Sequence, residues 1–382
     1  MSILEEIVPA ATVSLNNLAL ELKRRGEDVI SFAAGEPDFD TDRRIIDEAY
    51  ESMLRGETHY TSSLGLYELR ERIARKVREE NNVSAGPENV IVLPTKFAIY
   101  AALMSVVDRG DEVLIHDPHW VSYEAQVKLV GGRVVFFNFR DDFSLDIEDL
   151  KSKISSRSKA IIINTPNNPT GAIFSKDDVR ALVDIARDHN LYIISDEIYE
   201  KLVYEGEHVS PASYGLDHVI LVNGFSKAFA MTGWRIGYAV ASEDLIKRME
   251  KFVQHTLTCL PVFVQRAAIK ALELGAEIYS KYVKEYKERR DFLLSELSGV
   301  RNLKIIKPSG TFYLFPRYEV NIDSQSMASM ILKKKKVLIV PGSAFGKNGE
   351  YHFRISFATS MKNIKEGARR IKEFFDEIEN NR

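Results

Sequence analysis

The sequence predicts an α/β fold in which a mainly parallel sheet lies between layers of helix, and three observations carry that expectation. Short runs of β-branched and apolar residues recur along the chain, amphipathic stretches separate them, and the runs are apolar throughout instead of alternating. Strands buried on both faces of a parallel sheet read this way, whereas a half-exposed strand alternates with period two. The 382 residues are 45% hydrophobic and 28% charged, enough material for two domains or one large one.

In chain order the expected strands are Asn89–Leu93 ("NVIVL"), Glu112–His116, Arg133–Phe137, Ala160–Asn164, Leu191–Ser195 and His218–Asn223. Helical patterns fall between them. Leu66, Leu69, Ile73 and Val77 share one face of "LGLYELRERIARKVREE", and Val179, Leu182, Val183 and Ala186 share one face of "KDDVRALVDIARDHN". From about residue 276 the character changes to a long charged helix, then short strands in "LKIIK", "GTFYLF", "VLIV" and "HFRISF", then a last amphipathic helix. That helix is expected to start at Thr359 or Ser360 as N-cap, with Ile364, Ile371, Phe374 and Ile378 on its apolar face. This part reads as a smaller α+β domain packed closely on the first. Lys333–Lys336 ("KKKK") reads as a solvated helix end.

A net charge of −3 argues against a general binder of nucleic acid or anionic membrane. The single cysteine, Cys259, suits a reducing cytoplasm and allows no internal disulfide. The opening "MSILEEIVPAATVS" has acids and no basic stretch, unlike a secretion signal, and no apolar run approaches the roughly 20 residues that span a bilayer. A cytoplasmic protein is expected.

Ligands of parallel sheets gather beyond the carboxyl ends of the strands. There, "AIIIN" runs into "TPNNPTG", "LYIIS" into Asp196-Glu197-Ile198-Tyr199, "HVILVN" into Gly224-Phe225-Ser226-Lys227, and "NVIVL" into Pro94-Thr95-Lys96 and a helix. Taken singly, each has a bland reading as turn or cap chemistry. Together they offer an amide, a carboxylate with a phenol, a hydroxyl with an amine, and a helix N-terminus. The helix start, Ser226 and Arg235 suit a phosphate dianion. A buried acid suits a cationic ring nitrogen, and a lysine among apolar neighbours has a lowered pKa, so its amine can form a Schiff base. Phosphate, pyridinium and aldehyde describe pyridoxal 5′-phosphate (PLP).

With these motifs the chain resembles the class I PLP-dependent aminotransferases of fold type I, in the bacterial and archaeal branch of the aspartate aminotransferase family. The resemblance runs from "AAGEPDFDT" through "DPHWVSYEAQVKLVGG", "NTPNNPTGAIF", "SDEIYEKLVYEGE" and "SKAFAMTGWRIGY" to "PSGTFYLF", "VPGSAFG" and "FRISFATS". It implies a large domain over 41–275 with a mainly parallel seven-stranded sheet, a small C-terminal domain over 276–382, and an N-terminal arm over 1–40 that shares in the small domain. It also implies that Lys227 is the Schiff-base lysine and proton shuttle and that Asp196 pairs with the ring nitrogen. Tyr199 and Asn168 would bond the ring's phenolic oxygen, and Trp120 would stack on its face. Ser226, Arg235 and the amides of Thr95 and Lys96 would hold the phosphate, which Tyr60 would reach from the partner subunit of a homodimer. Arg354 would grip the substrate α-carboxylate, close to Gly35. Relatives usually carry small residues at the positions of Pro94 and Thr95, and Pro94 has no N–H to give.

The implied reaction is ping-pong transfer of an amino group between an L-amino acid, most of all aspartate, and 2-oxoglutarate or oxaloacetate. Lys96 and Thr12 match residues of the distal-carboxylate pocket and indicate a dicarboxylic substrate. The alternatives are an aromatic or prephenate aminotransferase, a PLP-dependent β-lyase, and a protein that holds PLP without chemistry. Nicotinamide binding has no support, since no G-x-G-x-x-G follows a strand.

Overall fold

The protein is described here by a computed structural model covering residues 3–380, so the first two residues of the opening stretch lie outside the described residues. Seven strands form the main sheet: β1 (Val90–Val92), β2 (Glu112–Asp117), β3 (Arg133–Asn138), β4 (Ser158–Asn164), β5 (Tyr192–Asp196), β6 (Val219–Gly224) and β7 (Gly237–Val240). Their spatial order is β1-β7-β6-β5-β4-β2-β3. The pairs β3–β2, β2–β4, β4–β5 and β5–β6 are parallel, while β7 runs antiparallel to both β6 and β1.

Apolar runs work here because alternate residues feed two different cores. Leu114, Ile161, Ile193 and Leu221 join one cluster with the helices Tyr67–Asn81, Lys176–Asp188 and Val262–Leu274. Val113, Ile162, Ile194 and Val222 join another with the helices Thr95–Val106 and Glu243–Gln254. Side-chain direction alternates along a strand, so a run with no polar member buries both faces. The edge strand β3 departs from the expectation: Arg133, Phe136 and Asn138 are exposed, because only one neighbour covers an edge. Strand β7 is absent from the strands the sequence suggests. It is four residues long and starts on a glycine.

The long charged stretch forms the helix Ala276–Leu297, and the last helix spans Met361–Asn380. Its N-cap is Ser360, whose Oγ accepts the Asn363 N–H at 3.2 Å. Lys333–Lys335 end the helix Ser324–Lys335, and Lys336 takes a left-handed φ of 56° as its cap. Three small sheets lie outside the main one. Ile30–Ser31 pairs in parallel with Val337–Leu338, which ties the beginning of the chain to its last third. Phe353–Ser356 pairs antiparallel with both Tyr313–Leu314 and Val340–Pro341, and it carries Arg354. Among the described residues no helix is long and apolar enough to cross a membrane.

Candidate active site

Strand register sets the floor of the site. Asn164 at the end of β4 lies beside Asp196 at the end of β5, and Asp196 lies beside Val222 of β6. A cavity of about 430 Å³ opens beyond these ends. Every site residue expected from the sequence lines it except Tyr60, whose side chain is 88% exposed.

One wall is the start of the helix Thr95–Val106. Its N-cap, Pro94, offers no side-chain cap, and its first backbone bond runs from Ala98 N to Pro94 O at 2.8 Å. The N–H groups of Thr95, Lys96 and Phe97 therefore have no acceptor within the helix, and they carry the positive end of its dipole. Two glycines let this tip reach the sheet. A Cβ on Gly237 would lie 2.2 Å from Thr95 Oγ1 and 2.9 Å from Thr95 N, and one on Gly224 would lie 2.3 Å from that hydroxyl. Ser226 and Arg235 line the same end. Arg235 holds a φ of 55°, a conformation rare for a bulky residue and common at functional sites.

Lys227 follows β6 by three residues and donates to the Gly35 carbonyl. Its Nζ lies 5.9 Å from the Tyr199 ring centre and 5.8 Å from that of Phe312. Burial lowers its pKa to about 8, against the opposing attraction of Glu36. Asp196 is pushed the other way, to about 6, because burial disfavours its charge. Tyr123 Oη donates to Asp196 Oδ2 at 2.7 Å, which holds the shift in check. The turn after β5 sends Asp196 and Tyr199 into the cavity, while Glu197 and Glu200 face a polar network on the other side. Glu197 accepts from Ser195 (2.9 Å) and Ser210 (2.8 Å) and meets His208 at 2.8 Å. Glu200 accepts from Asn81 at 2.7 Å and pairs with Lys76.

Arg354 is 1% exposed. Nη1 donates to Asn168 Oδ1 and Nη2 to the Ala33 carbonyl, both at 2.9 Å, while Nε has no partner among the described residues. The guanidinium carbon stands 4.2 Å from the Tyr313 ring centre and 5.0 Å from that of Phe345. Burial lowers the pKa of this group. No acidic side chain within ion-pair distance balances its charge among the described residues, whereas the buried Arg289 and Arg290 both have acidic partners. A buried cation left unpaired is a site for an anion. Gly35 keeps the approach open, since a Cβ there would stand 3.0 Å from Tyr313 Oη and 3.8 Å from Arg354 Nη2.

Trp120 forms a further wall, its ring edge-on to Tyr123 at 5.3 Å. The Lys96 ammonium lies 4.8 Å from the centre of the Trp120 ring; desolvation and then Arg235 lower its pKa. Thr12 and Asn16, one turn apart on the helix Ala11–Arg24, close that side. Sequence reasoning gave no role to Tyr123, Asn164, Asn16 or Tyr313, which also line the cavity.

The chain matches the family described as aminotransferase class I and II over residues 27–371. It is 40% identical to the aspartate aminotransferase of Thermotoga maritima, over 98% of each chain. It is also 40% identical to the aspartate/prephenate aminotransferase of Thermus thermophilus, over 95% of each. The solved structure of Thermus thermophilus aspartate aminotransferase with maleate superposes with a TM-score of 0.93 at 39% identity, covering 98% of this chain and 99% of that one.

Proposed function

The chain belongs to the class I and II aminotransferases, and on that premise we propose that it transfers an amino group between aspartate and 2-oxoglutarate, with PLP as cofactor. The observation that carries this reading is Arg354, a buried guanidinium without an acidic partner in the same cavity as the desolvated amine of Lys227. An amino-acid substrate brings a carboxylate for the first and the cofactor brings an aldehyde for the second.

The residues fit the cofactor. The free N–H groups at Thr95 and Lys96, with Ser226 and Arg235, would hold its phosphate. Asp196 would face the ring nitrogen, Asn168 and Tyr199 the phenolic oxygen, and Trp120 the ring face. When bound, the cofactor supplies an aldehyde that amines attach to and a cationic ring that draws electrons from the substrate's α-carbon. The rest falls to this chain. Arg354 fixes the α-carboxylate, which orients the α-hydrogen toward Lys227. Lys227 Nζ, once displaced by the substrate amine, takes that proton and later returns one. Asp196, with a pKa of about 6, is ionised at neutral pH and so keeps the ring nitrogen charged. We divide the chain accordingly, with 41–275 holding the cofactor, 276–382 carrying Arg354 and 1–40 joining the latter. A homodimer accounts for Tyr60, and the exposed apolar row Ile46, Tyr50, Met53 and Leu54 on the helix Arg43–Leu54 supports it.

Lys96 and Thr12 supply donors for a second, distal carboxylate, which favours aspartate; prephenate, also a dicarboxylate, is the second reading. The test is a panel of amino acids with 2-oxoglutarate on PLP-loaded protein, following glutamate and the new oxo acid, repeated with Lys96→Ala. Aspartate should be the best donor. Because Lys96 is only partly desolvated and keeps some exposure to solvent, the lower end of a charge-assisted hydrogen bond applies, about 1.5 kcal/mol, or roughly tenfold in kcat/KM. That loss should fall on acidic donors and spare alanine. Ammonia released without an acceptor would instead identify a β-lyase, and equal losses on acidic and neutral donors would end the dicarboxylate reading.

A further inference from the structure

Asp117 is the last residue of β2 and does not line the cavity, yet it is only 4% exposed. A buried carboxylate needs donors. Those it has come from a distant part of the chain: Asp117 Oδ2 accepts the Asn348 N–H at 3.2 Å, and the Lys347 N–H also acts on this carboxylate. Burial raises the pKa of Asp117, and Glu124 adds to this; the two N–H groups and the Lys347 charge oppose it in part by favouring the ionised form. Two more contacts fasten the same place. Asn348 Nδ2 donates to Asn138 Oδ1 at 2.6 Å, and the His119 N–H donates to the Phe345 carbonyl at 2.7 Å.

Residues 342–349 form the loop of a hairpin. Its strands pair Val340 with Arg354 and Pro341 with Phe353, and Gly342 N bonds His352 O at 2.8 Å across the loop's base. The returning strand therefore carries Arg354, and the loop carries Phe345, whose ring packs 5.0 Å from the guanidinium. At the docking point Gly346 has a φ of 117°, and a Cβ there would lie 2.0 Å from Asp117 Oδ1. Glycine is required on both counts.

We infer that Asp117 is a positioning residue for the carboxylate clamp: it docks the 342–349 loop on the end of the main sheet and so fixes the place of Arg354 relative to Lys227. The inference rests on the proposed function for the role of Arg354, but the docking itself does not. Lys227 follows β6 and Asp196 ends β5, whereas Arg354 reaches the cavity on a separate small sheet. The partner strand Tyr313–Leu314 is itself tied back by the Thr311 N–H on the Leu202 carbonyl at 2.8 Å and the Ser309 N–H on the Gly171 carbonyl at 3.0 Å, so Asp117 adds the fastening on the loop side of the Arg354 hairpin.

The test pairs Asp117→Ala with Asp117→Asn, which keeps an acceptor oxygen for the Asn348 N–H. Asp117→Ala should raise the apparent KM for aspartate and alanine alike, by about five- to twentyfold, with kcat changed much less, the signature of lost uniform binding. Asp117→Asn should recover most of that loss. Hydrogen exchange, read without substrate, should show the Lys347 and Asn348 amides exchanging on the order of tenfold faster in Asp117→Ala while the β4 and β5 amides keep their protection. Should Asp117→Ala fail to fold, Gly346→Ala disturbs the same contact from the loop side and should give the same KM pattern. Unchanged exchange at Lys347 and Asn348 would overturn the docking whatever the enzyme's activity. Faster exchange with unaltered KM would overturn the role in positioning, and a protein with no transaminase activity would refute the proposed function while leaving the exchange result to judge the docking.

Discussion

Burial moves Lys227 and Asp196 in opposite directions, and the result leaves both in the form the chemistry uses. An ordinary lysine amine near pH 7 is less than about one part in a thousand neutral, but with a pKa of about 8 the fraction is near a tenth. The neutral amine is the nucleophile, so below pH 8 the rate at which PLP attaches to cofactor-free protein should rise about tenfold per pH unit and level off above. Stopped-flow absorbance gives the profile, and borohydride reduction with mass mapping assigns the lysine. A break near 10, or a label on another lysine, would refute the assignment. Lys227 and Asp196 were legible in the sequence because each follows or ends a strand whose apolar run announces it, and Arg354 only through the resemblance carried by "FRISFATS". Tyr123 and Tyr313 were not: a tyrosine's Oη is aimed by packing at a distance, and its neighbours in sequence do not tell which of sixteen tyrosines meets Asp196 or Tyr199.

At the scale of elements, the phosphate wall depends on how closely a helix tip can approach a pair of strands. β6 and β7 meet at Gly224 and Gly237, which are direct partners in the ladder, and the Thr95 hydroxyl occupies the space their missing side chains leave, bonding Asn223 O at 3.2 Å. Gly237→Ala would place a methyl group within 3 Å of Thr95 Oγ1, Asn223 O and Thr95 N. Overpacking of this kind costs about 1–3 kcal/mol, and here the part free to yield is the helix start. PLP affinity should fall by roughly tenfold or more while far-UV circular dichroism stays that of the parent. Equilibrium dialysis or tryptophan quenching reads the affinity; an unchanged dissociation constant would show that the tip is placed by other contacts. The six longer or more apolar strands were readable from composition. β7 was not, because a four-residue strand opening on glycine is recognisable only by its partners, and the apolar run of β3 does not reveal that among the described residues no further strand pairs with its far edge.

The whole molecule presents one feature that a single chain leaves unused. The resemblance gives Tyr60 a place at the phosphate, yet it is 88% exposed and outside the cavity, and the nearby helix Arg43–Leu54 exposes Ile46, Tyr50, Met53 and Leu54. Exposed apolar rows of this kind mark association surfaces, and a twofold dimer makes the same patch meet itself. If Tyr60 donates to the phosphate bound by the partner chain, its loss removes one hydrogen bond to a charged group, about 1.5–3 kcal/mol, or roughly 10- to 150-fold in PLP affinity. Complementation then separates a shared site from a merely adjacent one. A Tyr60→Phe chain lacks the donor but keeps Lys227, and a Lys227→Ala chain lacks the amine but keeps Tyr60. In a mixed dimer one site receives Lys227 from the first chain and Tyr60 from the second, and is whole; the other has lost both. Mixing the two proteins, after mild dissociation and reassociation, should therefore restore a class of tight sites and transaminase activity to about a quarter of the parent's level per chain, since random pairing makes half of the dimers mixed with one good site in each. Sedimentation should give a dimer throughout. A monomer, or a mixture no better than the Tyr60→Phe protein alone, would show that each chain builds its site without help.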